Sequence, residues 1–304
     1  PTSSNGHSGG LSGGLGGISL PRGFEAVKLA DGLDQGDGLK GITSALFRAG
    51  SGQFGHDLYV AYSGNDTIYK VDRDGAGATY FATVGSFPVG VEFSPYNGFG
   101  EYLYVGLASE NDWAVVRVDS EGTVTPFSNV TKTAGLAFSP PGSEYGKYLY
   151  AATYWDEGRI FRIDEDGVAE EFKDSIPGES RYLGFSHGGP WGKYLFVSDI
   201  DSGKIYKVYP DASNETFAET NVTWGLEGFD FSPGGVWGHY MFVGVAFGVD
   251  AGKIFRIDPD GNVELWASGF DSVADIHFQP DGKGGFTMYI VTDGSGEVWA
   301  ISKA

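Results

Sequence analysis

The chain has 304 residues and no cysteine, and 40 acidic side chains against 20 basic ones give it a formal net charge of −20. The missing cysteines exclude a disulfide framework and thiol chemistry. Strong acidity argues against nucleic acids and anionic membrane surfaces as partners, because both attract basic patches. No apolar run approaches the roughly 20 residues that a transmembrane helix needs, so we expect no membrane span.

The first 21 residues differ in composition from the rest of the chain. Pro1–Pro21 contains no Asp, Glu, Lys or Arg and consists mainly of Gly and Ser, a composition typical of flexible linkers. Leu11, Leu15, Ile18 and Leu20 nevertheless offer apolar contacts. We therefore expect this tail, residues 1–21, to lie along its own domain or on a neighbouring subunit, and residues 22–304 to form one domain.

A single alternating segment, Phe24–Leu29, follows the tail and predicts a β-strand with no hairpin partner before it. A repeat of 45 to 47 residues then begins, aligned on the phenylalanine that closes the first strand of each copy. These phenylalanines are Phe47, Phe93, Phe138, Phe185, Phe231 and Phe278. Most of them open a turn rich in Ser, Pro and Gly.

Three further short strands follow in most copies. The second strands are predicted at Asp57–Ala61, Tyr102–Gly106, Tyr148–Ala152, Tyr194–Ser198, Tyr240–Gly244 and Met288–Thr292. The sixth copy stops at Ala304, after its third strand, so the strand at Phe24–Leu29 can supply its fourth. Ring closure of this kind removes exposed sheet edges. The sequence therefore predicts an all-β fold, a six-bladed β-propeller of four-stranded blades closed by the N-terminal strand on the C-terminal blade.

The repeat units resemble a known group of propellers. The unit from Tyr148-Leu-Tyr to Asp164-Glu-Asp-Gly167 resembles the NHL, SMP-30/gluconolactonase and streptogramin-lyase group, and its cadence is most similar to that of uncharacterised exported bacterial propellers. The resemblance implies the propeller fold, and it leaves function open among lactonases, lyases and binding modules. The metal ligands that it implies for a lactonase, and the His and Glu that it implies for a lyase, find no matching segments in this chain.

Aromatic and charged residues in predicted loops form a candidate ligand site. Rings stack on the C–H faces of sugars while carboxylates accept hydrogen bonds from hydroxyl groups, so we expect a carbohydrate or other small ligand at the channel mouth. The candidates are Tyr154, Trp155, Arg181, Tyr182, Trp224 and Glu227. The alternative is an ordinary acidic rim, to which Trp113, Asp156, Asp199, Asp201, Asp250, Asp271 and Asp293 also belong.

Polar residues on the inner strands suggest a cation in the channel. Glu227, Asp230, Asp275 and His277 lie on or just before these strands, and oxygen ligands suit Ca²⁺ or Mg²⁺. Glu227 and Asp275 are the predicted metal ligands. The alternative is that Asp275 and His277 satisfy neighbouring main-chain groups.

Other conspicuous residues belong to the scaffold in this interpretation. The Asp-x-Asp-Gly segments, such as Asp164–Gly167, are predicted to be tight turns and not calcium loops. Trp191 and Trp237 are predicted to cover the blades as core residues. His56, His187 and His239 lie in turns on the face opposite the usual site and receive no catalytic role.

Four segments match the N-glycosylation pattern, at Asn65, Asn129, Asn214 and Asn221. Together with the Gly-rich tail and the first residue Pro1, they favour an exported glycoprotein at or outside the cell surface. The preferred function is a non-catalytic binding or self-assembling module, a homo-oligomer or filament formed through its tail. The alternative is a divalent-metal-dependent lactonase or lyase.

Overall fold

The computed structural model of the protein describes residues 11–13, 17–33, 39–44, 52–110, 114–154 and 158–304. Six four-stranded antiparallel sheets follow one another in a ring; within five of them each strand pairs with the next one along the chain, and the sixth takes one strand from the N-terminal end. This is the predicted six-bladed β-propeller. No helix in the described ranges is long and apolar enough to cross a membrane.

The strands of each blade follow one another from the channel outward. Blade one consists of β4 (Leu39–Ser44), β5 (Leu58–Tyr62), β6 (Thr67–Val71) and β7 (Ala78–Thr83). Blade two consists of β8 (Pro88–Phe93), β9 (Leu103–Leu107), β10 (Val115–Val118) and β11 (Val124–Ser128). Blade three consists of β12 (Thr133–Phe138), β13 (Leu149–Thr153), β14 (Ile160–Ile163) and β15 (Ala169–Lys173).

The second half of the ring repeats this order. Blade four consists of β16 (Ser180–Phe185), β17 (Leu195–Asp199), β18 (Lys204–Val208) and β19 (Asn214–Glu219). Blade five consists of β20 (Leu226–Phe231), β21 (Met241–Val245), β22 (Ile254–Ile257) and β23 (Val263–Ala267). Blade six consists of β24 (Asp275–Pro280), β25 (Phe286–Val291), β26 (Val298–Lys303) and the N-terminal strand β3 (Phe24–Ala30).

The ring closes as the truncated sixth repeat predicts. β3 pairs antiparallel with β26 over its whole length, from Ala30 opposite Val298 to Phe24 opposite Lys303. Blade six therefore has its fourth strand from the other end of the chain, and the pairing covers the edge that β26 would otherwise expose.

Edge-to-face contacts between aromatic rings hold neighbouring blades together. In five interfaces, a ring from the turn after the first strand packs edge to face on the phenylalanine near the end of the next first strand, with centroids 4.8–5.0 Å apart. The pairs are Phe54–Phe93, Phe99–Phe138, Tyr145–Phe185, Trp191–Phe231 and Trp237–Phe278. Trp191 and Trp237 are buried, as predicted for core residues.

The Asp-x-Asp-Gly segments are tight turns, as predicted. In blade three, Asp164 Oδ1 accepts the main-chain N–H groups of Asp166 (3.0 Å) and Val168 (2.9 Å). Gly167 closes the turn with φ of 82°, a left-handed conformation that favours glycine. The first aspartate of each segment, Asp72, Asp164 or Asp258, is thus engaged within its own turn.

One predicted boundary is wrong. The repeat alignment places Phe47 at the end of the first strand of blade one, but β4 ends at Ser44, which pairs with Leu58 as Phe93 pairs with Leu103. The connection between the first and second strands comprises residues 45–57 in blade one and only residues 94–102 in blade two. The second strands keep the regular repeat spacing, so the repeat length does not reveal that the first strand of blade one ends earlier. Phe47 itself lies outside the described residues.

The described part of the tail contacts its own domain. β1 (Leu11–Gly13) and β2 (Ser19–Pro21) form a hairpin, and Ser19 exchanges two main-chain hydrogen bonds with Ser268, at 2.8 and 3.1 Å. Ile18 and Leu20 are buried in the core cluster that also contains Trp237 and Trp266. The hairpin therefore extends the outer edge of blade five.

Candidate functional site

A chamber of about 540 Å³ occupies the central channel. It opens among the turns that join first and second strands, the face that we name the turn face, where Pro141, His187 and His239 line it. Its walls are the inner strands with the rings near their ends, Phe138, Phe185, Phe231 and Phe278, and Trp191 from the turn after the first strand of blade four. Its volume and apolar lining are typical of small-molecule sites.

Carboxylates and imidazoles make up most of the titratable groups of the chamber wall. Among the described residues they are Glu92, Asp230, Asp275, His187, His239 and His277; the phenol of Tyr182 also lines the chamber, and no described Lys or Arg does. Asp230 lies between two of the imidazoles. Its Oδ1 is 3.8 Å from His187 Nε2, and its Oδ2 is 3.8 Å from His277 Nδ1.

Asp230 also links two blades. Its Oδ1 accepts the N–H of Phe231 at 2.7 Å, and its Oδ2 accepts the N–H of Phe278, in blade six, at 2.8 Å. Burial opposes the ionisation of Asp230, but His187, His277 and the N–H of Phe278 outweigh it and lower the pKa of the carboxyl. Asp230 is therefore an anion at neutral pH.

Two buried polar atoms in the chamber wall have no protein partner. Trp191 Nε1 and Thr43 Oγ1 form no hydrogen bond with any described residue, although both side chains are more than nine-tenths buried. The equivalent tryptophan of blade five differs, because Trp237 Nε1 donates to the carbonyl of Phe286 at 3.0 Å. The Trp191 nitrogen is covered by protein atoms, so it belongs to the packed wall and does not present a donor to the open chamber.

The other end of the channel is closed by a cluster of side chains that we name the plug. Its members are Lys40, Tyr154, Arg181, Tyr182, Glu227 and Asp293. Lys40 forms a buried ion pair with Asp293. The hydroxyl of Tyr182 donates to the carbonyl of Lys40 at 3.1 Å, and the remaining cavity is about 10 Å³, room for about one water molecule.

Arg181 organises the centre of the plug. Its guanidinium donates to Glu179 Oε1 at 3.0 and 3.1 Å, lies 3.5 Å from Glu227 Oε1, and stacks 3.9 Å above the ring centroid of Tyr154. Glu227 is only 1% exposed. Burial raises the pKa of its carboxyl to about 7, although Lys40 and Arg181 favour the ionised form.

The structure brings most of the predicted ligand-binding residues together. Tyr154, Arg181, Tyr182 and Glu227 meet in the plug, where they fill the space between them. Trp224 stands beside this cluster, 48% exposed and stacked on Phe247 with centroids 5.1 Å apart. Trp155, like Trp113 and Asp156, lies outside the described residues.

The two predicted metal ligands, Glu227 and Asp275, each interact with a different protein group. Glu227 faces the Arg181 guanidinium. Asp275 Oδ2 accepts the N–H of Ile42, in blade one, at 3.0 Å, which is the main-chain role that the sequence leaves open as an alternative. In the described part of the chain, no three or more His, Asp or Glu side chains are grouped to hold a metal ion. The described residues do not fit the metal that the resemblance implies for its enzymes.

The sequence names Asp230 and His277 as channel residues but leaves Glu92, Trp191, His187 and His239 outside the site. Three of the five histidines in the chain line the chamber, but they stand at different positions of the repeat, so no shared spacing marks them in the sequence. The four sequon residues all reach the surface: Asn65, Asn129 and Asn221 are exposed, and Asn214 is half-buried at the start of β19.

Comparisons with known proteins agree with the fold. No family model matches the sequence, and no curated protein does. Among solved structures the chain is similar to a candidate gluconolactonase, with TM-score 0.68 and 15% identity over 93% of each chain. It is also similar to virginiamycin B lyase from Staphylococcus aureus, with TM-score 0.60 and 13% identity over 92% of this chain and 99% of that one.

A third similar structure is an auxiliary nutrient binding protein from Bacteroides thetaiotaomicron, with TM-score 0.65 and 11% identity over 92% of this chain and 76% of that one. Identities this low establish the fold alone. The chain is a six-bladed β-propeller with the fold of the gluconolactonase and streptogramin-lyase group, as its repeats predict.

Proposed function

We propose that this propeller binds a small organic molecule in the chamber on its turn face. The observation that carries the proposal is a 540 Å³ space with aromatic walls, closed at its inner end by the plug. Asp230, His187 and His277 add polar groups to that wall. An apolar pocket with a few convergent polar groups is the usual form of a small-molecule site.

The absence of cysteine allows a sharp test, because one introduced thiol can be labelled selectively. Pro141→Cys places that thiol at the exposed mouth of the chamber, and Val249→Cys, at a side chain 92% exposed outside the chamber lining, is the matched control. Reaction of the folded variants with a bulky maleimide obstructs the chamber in the first protein only.

A panel of sugars, lactones, amines and aromatic acids is then screened by saturation-transfer NMR. We expect the compounds that bind unlabelled Pro141→Cys to be lost after labelling, and to be retained by labelled Val249→Cys. Binding that survives at the labelled mouth would contradict the proposal, as would a panel with no binder.

Lactone hydrolysis or lyase chemistry is a second candidate, favoured by Asp230 between His187 and His277 at 3.8 Å. A carboxylate beside an imidazole can orient it as a general base. The fold shared with a candidate gluconolactonase and a lyase supports this candidate. Turnover of a bound lactone, lost in His277→Gln with binding retained, is the expected result.

Carbohydrate binding beside Trp224, export, glycosylation and self-assembly remain proposals from the sequence. The tail hairpin supports only the packing of residues 17–21 on their own blade. Deletion of residues 1–21 tests the assembly proposal: an oligomer measured by light scattering should become smaller, and an unchanged particle size would refute a tail-mediated contact. Mass spectrometry of the native protein tests Asn65, Asn129, Asn214 and Asn221 for glycans.

A further inference from the structure

We propose that the outer strand of blade one, β7, pairs antiparallel with the same strand of a second copy of the chain, about a two-fold axis. This surface is separate from the chamber, and the inference does not rest on the proposed function. Three features of β7 carry it: main-chain groups directed outward, an exposed aromatic side chain beside them, and the absence of the charges that protect most other outer strands.

β7 has an open edge. It is the last strand of its sheet, and no described strand pairs with its outer side. Val84, the residue after β7, donates its N–H inward to the carbonyl of Asp66 at 2.9 Å. Because successive residues of a strand direct their main-chain groups to opposite sides, Thr83 presents its N–H and C=O outward. Tyr80 is 64% exposed on the same strand, and its hydroxyl lies 3.3 Å from Thr83 Oγ1.

Blade five has an edge of the same design, and there another strand covers it. In both blades a β-bulge follows an exposed side chain, Tyr80 or Leu265, and a hydroxyl residue stands three positions later, Thr83 or Ser268. Ser268 exchanges two main-chain hydrogen bonds with Ser19 of the tail strand β2. Each chain has one tail, and β2 already lies on blade five. We therefore place the partner of β7 on another molecule.

Most other outer strands carry residues that oppose such pairing, at the positions equivalent to Tyr80 and Thr83. At the first position, blades two, three and six carry a proline or a charged residue, namely Pro126, Glu171 and Lys28. At the second position, blades three, four and six carry a carboxylate, namely Asp174, Glu219 and Asp31. Proline and charges are the usual protection of a sheet edge. Among the described outer strands, β7 alone has no charge, no proline and no covering strand.

The charge of the molecule favours an identical strand as the partner. Two copies of net charge −20 repel each other, so a contact between them is least opposed where neither surface is charged. Self-pairing of β7 sets only uncharged side chains opposite one another, with Tyr80 of each copy close to the axis. A two-fold contact also covers both open edges at once, whereas a head-to-tail contact would need a second open fourth strand on the chain.

Sedimentation equilibrium of the whole protein over a dilution series measures the contact. We expect a reversible equilibrium between monomer and dimer, with a limiting mass of twice 32.4 kDa. A monomer at every concentration would overturn the inference. A mass that keeps rising beyond the dimer would also overturn it, because a two-fold contact closes on itself.

Two variants of blade one and one of blade four locate the contact. Tyr80→Lys sets like charges beside each other at the axis and should weaken dimerisation at least tenfold. Thr83→Glu copies the carboxylate that blade four carries at Glu219 and should have a similar effect. Thr216→Lys, at the exposed position of blade four equivalent to Tyr80, is the matched control and should leave the dimer unchanged. Dimerisation unchanged in both blade-one variants, or weakened equally in the control, would refute pairing through β7.

Cross-linking and a truncation separate this contact from one made by the tail. In this cysteine-free chain, a short bis-maleimide should link Tyr80→Cys into covalent dimers and leave Thr216→Cys monomeric. Deletion of residues 1–21 should preserve the dimer, since β7 lies on a different blade from the tail hairpin. Loss of the dimer in this truncation would place the contact on the tail and overturn the inference.

Discussion

Glu227 has an environment that differs strongly from water. Its carboxyl is buried in the plug, 3.5 Å from the guanidinium of Arg181, and burial raises its pKa to about 7. In the unfolded chain the same carboxyl titrates near its ordinary value of 4.5. Between these two pH values the folded protein holds a proton that the unfolded protein has lost, so the free energy of unfolding falls as the pH rises.

Glu227→Gln should remove this pH dependence. The glutamine amide is neutral at every pH, so relative to wild type the variant should gain roughly 3 kcal/mol in the free energy of unfolding between pH 4.5 and pH 7.5. Urea titrations at the two pH values measure the difference. Glu264→Gln, at a side chain 52% exposed, is the control and should show no comparable gain. A stability difference that is the same at both pH values would contradict the buried, proton-binding role of Glu227.

The turns between third and fourth strands show how local sequence fixes an element. Gly167 has φ of 82°, and a Cβ there would lie 2.1 Å from the carbonyl oxygen of Phe127 in the preceding blade. Gly282 has φ of 73° in an Asp-initiated turn between the first and second strands of blade six, with nothing within 4 Å of a Cβ. Both glycines have the left-handed backbone conformation, but a neighbouring blade approaches only Gly167 closely.

Gly282→Ala should lose about 1–2 kcal/mol of stability, the cost of a side chain in the left-handed region. Gly167→Ala should lose at least twice as much, because the carbonyl of Phe127 must also move. Urea unfolding of the two variants measures both losses. Equal losses would show that blade three does not pack on blade two as closely as described.

The elements could be predicted from sequence because each signal is local and recurs. The Asp-x-Asp-Gly turn appears in three copies and the apolar second strand in all six, so weak local signals reinforce one another. The alignment on Phe47 is wrong for blade one, because its first strand already ends at Ser44. A longer connection, residues 45–57, makes up the difference and keeps the repeat length constant. A regular spacing does not by itself locate the strand within the repeat.

At the scale of the molecule, stability depends on a contact between the two ends of the chain. β3 pairs with β26 and completes blade six, while the hairpin of β1 and β2 only extends the edge of blade five. Deletion of residues 1–30 should therefore abolish cooperative unfolding or cause aggregation, because β26 becomes an open edge. Deletion of residues 1–21 leaves β3 in place and should preserve a single cooperative transition. Similar melting curves for the two truncations would contradict ring closure by β3.

The candidate site could be predicted only in part. Sequence position identifies Tyr154, Arg181, Tyr182 and Glu227 as neighbours, yet it does not reveal that they fill the channel they surround. That closure arises where side chains of different blades meet, as when Tyr182 reaches the carbonyl of Lys40, 142 residues away. The open chamber on the turn face is a consequence of the same contacts, and no local motif encodes it.

A crystal structure with the tightest-binding compound of the screen tests the central claim most directly. We predict density for the compound inside the chamber, beside Asp230 and His277. Density on the plug side, against Trp224 and Tyr154 with the chamber free of the compound, would contradict the chamber proposal and restore the site that the sequence alone predicts.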